Sequence, residues 1–406
     1  MNRLVLIGNG FDLAHGLPTK YEHFINWYWA ERIRKFKGNM TDLSEDSLCK
    51  FRISYGHTWN SFYNQWRFNY GELKDKEILE YLDINHDYFT IEKSEFLKNI
   101  CESIKTKRWV DIENEYYSLL VKYSLDKPKS LQIVDLNNQL KCISDNLIEY
   151  LYGIDSGLCK KSERIKQLIY EPIRSQDVSI GGKVAITNYL RLWMNKREED
   201  LSDKIGHYSL NSDEEIKVFN DFMSNYRGDD EYDSKDVPVS LMLPDTILLL
   251  DFNYTHTTDL YCNFICYPIH IHGDVRDKSS VIFGYGDELD AKYGELQGLN
   301  DNECLRYIKS IRYLESDNYR KTLDFIESSP YQVYIMGHSC GNSDRTLLNT
   351  IFEHKNCISI KPFYHTKEDG VDNYLEIVQN ISRNFTDMKL MRDRVVNKTY
   401  CESLTV

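Results

Sequence analysis

The chain of 406 residues lacks a surplus of positive charge: 50 Lys and Arg stand against 63 Asp and Glu, a net of −13. A broad electrostatic grip on DNA or RNA phosphates needs a positive field, so nucleic acid is not expected as a partner unless a local basic groove supplies one. Long apolar runs are also missing. Nothing approaches the roughly 20 residues of a membrane helix, and the apolar start Leu4 to Ile7 is too short for a secretory signal. The expectation is a cytoplasmic protein without a membrane partner. Paired CxxC knuckles are absent as well: the ten cysteines are scattered, with Cys262 and Cys266 the closest pair. Reduced thiols are therefore expected, and no structural zinc.

What the chain does contain is a set of short, largely apolar runs: Leu4 to Ile7, Thr246 to Phe252, Val281 to Phe283, Gln332 to Met336 and Cys357 to Ile360. Such runs suit strands buried on both faces of a parallel sheet. The long region between the first and second is aromatic and charged, with helical spacing. Leu136, Leu140, Ile143, Leu147, Leu151 and Ile154 fall on one helix face, and Trp109, Ile112, Tyr116, Leu119 and Tyr123 on another. Asp229 to Asp236 looks like an exposed connection back to the sheet. The expected division is an α/β domain from residues 1–19 and 241–365, a helical insertion over 20–240, and a C-terminal helical segment over 366–406.

The opening "IGNGFDLAHGLPTKYEHF" follows the first strand with Gly8, Asn9, Gly10, Asp12, Gly16 and Pro18. Closely spaced glycines can leave backbone N–H groups open to a pyrophosphate, or can simply form a turn. Thr19 and Glu22 have the spacing of a capping box, so a helix is expected to begin there. Asn253 and Tyr254 stand at the end of a strand in "LLLDFNYTHTTDLY", where a sheet's carboxyl edge faces its ligand crevice. "IHIHGDV" then places His270 and His272 on one face if extended, with Gly273 following. A late strand ends in "GHSCGNSD", which carries Gly337, Ser339 and Asp344. By contrast "TNY" at Thr187 to Tyr189 has helical spacing and reads as core packing.

These motifs, in this order, resemble the AbiH family of bacterial phage abortive-infection proteins, and "WVDIENEYY" in the insertion also fits. A more distant resemblance is to sirtuin-like NAD-hydrolysing domains. Gly8, Gly10, Gly16, Leu17 and Pro18 match their glycine turn, Asn253 their strand-end Asn, His272 and Gly273 their His-Gly, and Gly337 and Ser339 their late Gly-x-Ser. The departures are Asn9 in place of Ala, Asp12 in place of Ser and Thr255 in place of Asp.

The resemblances imply a sirtuin-like (Rossmann-type) α/β sheet with a large helical insertion after the first strand. They also imply an antiphage effector that takes NAD, or a related nucleotide, as substrate. Asn253 would hold ribose hydroxyls or a water, and His272 would be the general base. Gly8, Asn9, Gly10, Asp12, Gly16, Pro18, Tyr254, Gly273, Gly337, Ser339 and Asp344 would surround the nucleotide, with Asp12 turned toward hydroxyls. Glu113 lies about 40° from Trp109 around a helix and so falls within its aromatic stripe. Its carboxylate either reaches the active-site crevice or pairs with an arginine of the insertion.

Two other functions stay open. His256, His270, His272 and His338, with Asp12 or Asp274, could ligate a cation for a metal-dependent hydrolase or nuclease. A noncatalytic nucleotide-sensing and protein-binding module fits the composition equally well. A phage-derived trigger or partner protein is compatible with every reading, as is a homo-oligomer.

Overall fold

The structure, a computed structural model, describes residues 1–39, 43–53, 89–107, 111–126, 130–154, 159–193, 198–225, 237–366 and 370–405. Trp109 and the acidic stretch Asp229 to Asp236 lie outside the described residues. Among these residues the strands in chain order are β1 (Asn2–Ile7), β2 (Leu43–Glu45), β3 (Cys49–Ile53), β4 (Phe89–Lys93), β5 (Ile247–Asp251), β6 (Cys266–His270), β7 (Tyr331–Met336) and β8 (Cys357–Phe363). By contact the chain falls into two compact units. One comprises Met1–Leu17, Gly157–Val281 and Tyr313–Val406; the other comprises Pro18–Ser156 and Ile282–Arg312.

The first unit is built on a five-stranded sheet in the order β6-β5-β1-β7-β8, parallel throughout. β1 lies at its centre, with Leu4 opposite Leu248 on one side and Val333 on the other. Every residue of β1, β5, β7 and β8 is buried, which is why these strands read as unbroken apolar runs instead of alternating ones. One face packs Val5, Ile7, Leu249, Tyr334 and Met336 against Phe11, Ile165, Leu168 and Ile169. The chain builds outward from β1 to β5 and β6, then returns to the far side of β1 for β7 and β8. The order thus reverses between β1 and β7, and an open α/β sheet presents its ligand crevice beyond the strand ends at such a point.

Two expectations need correction in this unit. Val281 to Phe283 forms no strand; the remaining sheet position is taken by β6. That strand escaped the apolar-run criterion because it is an edge, where Pro268 is tolerated and Tyr267 is exposed. The helices Glu163–Tyr170, Ile180–Trp193, Glu198–His207 and Ser212–Asn225, expected in an insertion running to residue 240, fall within the sheet unit. Leu190, Trp193, Leu201, Ile205 and Phe222 bury their apolar faces in one cluster with Leu241 and Ile358. The "TNY" segment is helical there, as its spacing implies.

The second unit contains helices Tyr21–Asn39, Glu95–Lys107, Ile112–Val121 and Ser130–Ile154. The last buries Leu136, Leu140, Ile143, Leu147 and Leu151, the face its spacing defines. The helix after Pro18 begins at Tyr21, two residues beyond Thr19. An antiparallel sheet, β2-β3-β4, also lies in this unit, in a region read as helical from its composition. Among the described residues no helix is long and apolar enough to cross a membrane, and none of the ten cysteines is in a disulfide.

Candidate functional site

The opening turn is held by backbone contacts before any ligand is considered. Gly8 N donates to Met336 O at 3.3 Å and Gly10 N to Gly337 O at 2.9 Å. These two amides are therefore spent on the end of β7, and the N–H cradle expected of them is already filled. A Cβ on Gly8 would lie 2.5 Å from His338 Cα, and one on Gly10 2.8 Å from Gly337 Cα. Gly337 itself has φ +79°, and a Cβ there would lie 2.1 Å from Phe11 N. All three glycines are required because the turns after β1 and β7 touch backbone to backbone.

The rest of the motif has equally local reasons. Helix Asn9–Ala14 ends in a Schellman arrangement, with Gly16 N donating to Leu13 O and Leu17 N to Asp12 O. Gly16 takes φ +81°, and Pro18 follows where no helix can continue. Asp12 is buried and accepts from Thr255 Oγ1 at 2.6 Å. The hydroxyl it faces is the protein's own, in place of the expected hydroxyl of the nucleotide. The sequence departures at 12 and 255 therefore face one another, with the carboxylate and the hydroxyl exchanged between the two positions. His15 makes contacts of 2.7 Å to Phe11 O and 2.6 Å to Tyr261 OH, which accounts for it structurally. Asn9 remains exposed.

Beyond β5, Asn253 N donates to Asp251 Oδ1 at 2.9 Å, and Asn253 Nδ2 to Gly8 O at 3.1 Å. Because Gly8 O can only accept, the Asn253 amide must point its nitrogen inward, which leaves Oδ1 as the acceptor it presents elsewhere. Phe252 and Tyr254, on either side, lay their rings 5.3 and 6.4 Å from the His272 ring.

β6 ends at His270, and Gly273 N folds back onto His270 O, so His270 and His272 part company. Gly273 has φ +78°, and a Cβ there would meet Ser280 O at 2.2 Å. His272 Nε2 lies 3.2 Å from Asp344 Oδ1 and 3.2 Å from Tyr313 OH. The other oxygen of Asp344 is 3.6 Å from His338 Nε2. Ser339 is exposed, and its carbonyl accepts from Asn380 Nδ2. Sequence reasoning placed Asp344 against a nucleotide and gave no role to Tyr313; no spacing rule links either residue to His272.

His270 belongs to a separate group. Its Nδ1 is 3.6 Å from Asp251 Oδ2, and its ring is 5.0 Å from that of His256, whose Nε2 is 3.5 Å from Asp274 Oδ1. Burial pushes the Asp251 carboxyl well above the usual range, with Asp12 and Asp259 adding to the shift and bonds from Asn253 N and Thr258 opposing it. Burial also pushes His270 down, assisted by His256 and opposed by Asp274. Both shifts run toward the neutral forms. Among the described residues no group of three or more His, Cys, Asp or Glu has the geometry to hold a metal ion. A groove of about 780 Å³ runs along β6, lined by His270, Gly273, Asp274, Asn318, Lys321 and Phe325 among others. Of the residues expected to surround a nucleotide only Gly273 borders it, beside His270 and Asp274 from the candidate metal ligands.

In the other unit, Asp111 caps helix Ile112–Val121 through Asn114 N. Glu113 is buried and takes Lys309 Nζ at 2.8 Å and Gly284 N at 3.3 Å. Its partner is thus a lysine, where the expected alternatives are the active-site crevice or an arginine of the insertion, and Lys309 is itself fully enclosed.

No curated protein and no solved structure matches the chain. The sequence profile described as "Bacteriophage abortive infection AbiH" matches residues 4–365. That span runs from β1 through the Asn253, His272 and Asp344 segments to the end of β8, and on it the chain belongs to the AbiH family.

Proposed function

We propose that this chain is an abortive-infection effector that binds NAD, or a related nucleotide, at the carboxyl edge of its parallel sheet and hydrolyses the ribose–nicotinamide bond. The observation that carries the reading is the fixed amide of Asn253. It is anchored to Gly8 O beside the reversal of strand order, which leaves Oδ1 as its remaining acceptor. An acceptor there suits a ribose hydroxyl or an attacking water and repels a phosphate. The filled amides of Gly8 and Gly10 point the same way, so a phosphate has to find other donors.

In the reaction, the bond between ribose C1′ and the pyridinium nitrogen breaks and its electron pair neutralises the departing nicotinamide. Water adds to the resulting oxocarbenium carbon. Asn253 Oδ1 orients that water or the ribose, and the neutral imidazole of His272 takes the proton the water gives up. Glu113 has no step in this scheme, because its carboxylate neutralises Lys309. The family's description supports the biological role, and a phage-derived trigger is the partner this role requires.

The test is release of free nicotinamide from NAD by purified protein. Asn253→Ala and His272→Ala are each expected to lower kcat by about 10²–10⁴-fold, with circular dichroism unchanged. Full turnover in both variants would remove the mechanism.

A further inference from the structure

Asp344 occupies a position where an aspartate ordinarily serves a helix. It is the residue immediately before helix Arg345–Glu353, yet its side chain makes no capping hydrogen bond. An N-cap aspartate normally accepts from the second or third helical N–H. Here the carboxylate is turned away from the helix and set between two imidazoles, Oδ1 toward His272 Nε2 and Oδ2 toward His338 Nε2.

The tautomer of His338 follows from its other nitrogen. Cys340 N donates to His338 Nδ1 at 3.0 Å. Nδ1 is therefore the lone-pair nitrogen, and the neutral ring carries its proton on Nε2, facing Asp344. The chain reaches this arrangement through a tight turn in which Gly337 and Cys340 both take positive φ. Phe252 fills the space beside both histidines, its ring 4.1 Å from His338 and 5.3 Å from His272.

For His272 the same reasoning starts from the carboxylate. A lone pair on Nε2 would face the lone pairs of a carboxylate oxygen at 3.2 Å, whereas an N–H there can donate to it. Tyr313 sets the ring plane. Its hydroxyl is 3.2 Å from Nε2, its ring lies parallel to the imidazole at 6.1 Å, and Tyr319 stacks behind it at 5.4 Å.

We propose that Asp344 is a positioning residue that holds the proton of His272 on Nε2, so that the basic lone pair is on Nδ1, with Tyr313 fixing the plane of the ring. This rests on reading His272 as the base, and it removes Asp344 from the residues that contact nucleotide. The logic is that of any acid-oriented imidazole: one ring nitrogen is tied to a carboxylate so that the other accepts the proton.

The decisive measurement does not depend on turnover. Long-range ¹H–¹⁵N spectra of the histidine rings in the full chain are expected to show Nε2–H for both His272 and His338 at neutral pH, each assigned by its own His→Gln variant. In Asp344→Asn, and independently in Asp344→Ala, His272 gains the Nδ1–H form while His338 keeps Nε2–H, because Cys340 N still holds it. A wild-type His272 already in the Nδ1–H form, or one unmoved in both variants, overturns the assignment.

Kinetics give the second arm. Asp344→Asn is expected to lower kcat for NAD by about 10³–10⁴-fold with KM changed by less than about threefold; raised KM at full kcat would return Asp344 to the nucleotide and overturn the proposal. Absence of turnover in the wild type would count against the NAD reading alone, since the ring spectra would still decide the role of Asp344.

Discussion

At the scale of single residues, the opening motif shows how a ligand-like pattern can be satisfied from within. Asp12 and Thr255 share one hydrogen bond, so Asp12→Ala strands a buried hydroxyl and is expected to cost about 1–3 kcal/mol in urea unfolding. The exchange Asp12→Ser with Thr255→Asp restores a carboxylate–hydroxyl pair with its ends reversed. The double variant should lose less than the sum of its single substitutions; strict additivity would show that the two side chains are not coupled.

Asp251 offers a test by pH. Its folded carboxyl is raised, so the folded state holds a proton that the unfolded state releases above about pH 4. The stability lost to this group therefore grows as pH rises from that point. Asp251→Asn, which preserves the acceptor for Asn253 N, is expected to be more stable than wild type at pH 7 and to lose that advantage near pH 3. His270 slopes the other way, since its lowered value makes stability fall as pH drops below about 6.5. The groups facing the pair are Asp12, Asp259, His256 and Asp274. A variant with no pH-dependent gain would mean that Asp251 ionises in the fold.

At the scale of elements, equal backbone angles do not mean equal tolerance. Gly16 and Gly337 have φ of +81° and +79°, but a Cβ on Gly16 meets nothing within 4 Å, whereas one on Gly337 strikes Phe11 N. Gly16→Ala is expected to cost about 1–2 kcal/mol, the penalty of a Cβ in the left-handed region. Gly337→Ala should cost several times as much, because the turns after β1 and β7 must separate. Comparable midpoints in denaturant for the two variants would contradict the contact.

The same elements mark what the sequence discloses. β1, β5, β7 and β8 were legible because full burial on both faces leaves an apolar run. β6 was visible only as an extended segment around His270, since an edge strand is selected by its neighbours more than by its own hydrophobicity. β2, β3 and β4 are three to five residues long, too short for an alternation to stand out among charges. Within the site, Asn253, His272 and Gly273 were found through their resemblance to known motifs. The contact of His272 with Asp344 and Tyr313 was not, because it joins three segments far apart in sequence that no spacing rule connects.

At the scale of the whole molecule, the sheet unit is assembled from three separated stretches of chain. Its central strand pairs on both sides with strands far along the sequence, Asn2 opposite Tyr331 and Arg3 opposite Ile247. β1 is thus made well before the strands that enclose it. At ordinary rates of synthesis its partners follow after tens of seconds. During that interval the amides of Gly8 and Gly10 lack the carbonyls of Met336 and Gly337 that hold their turn. The edge is consequently incomplete until β7 has left the ribosome, so translation itself imposes a delay between the making of β1 and the closing of the sheet around it.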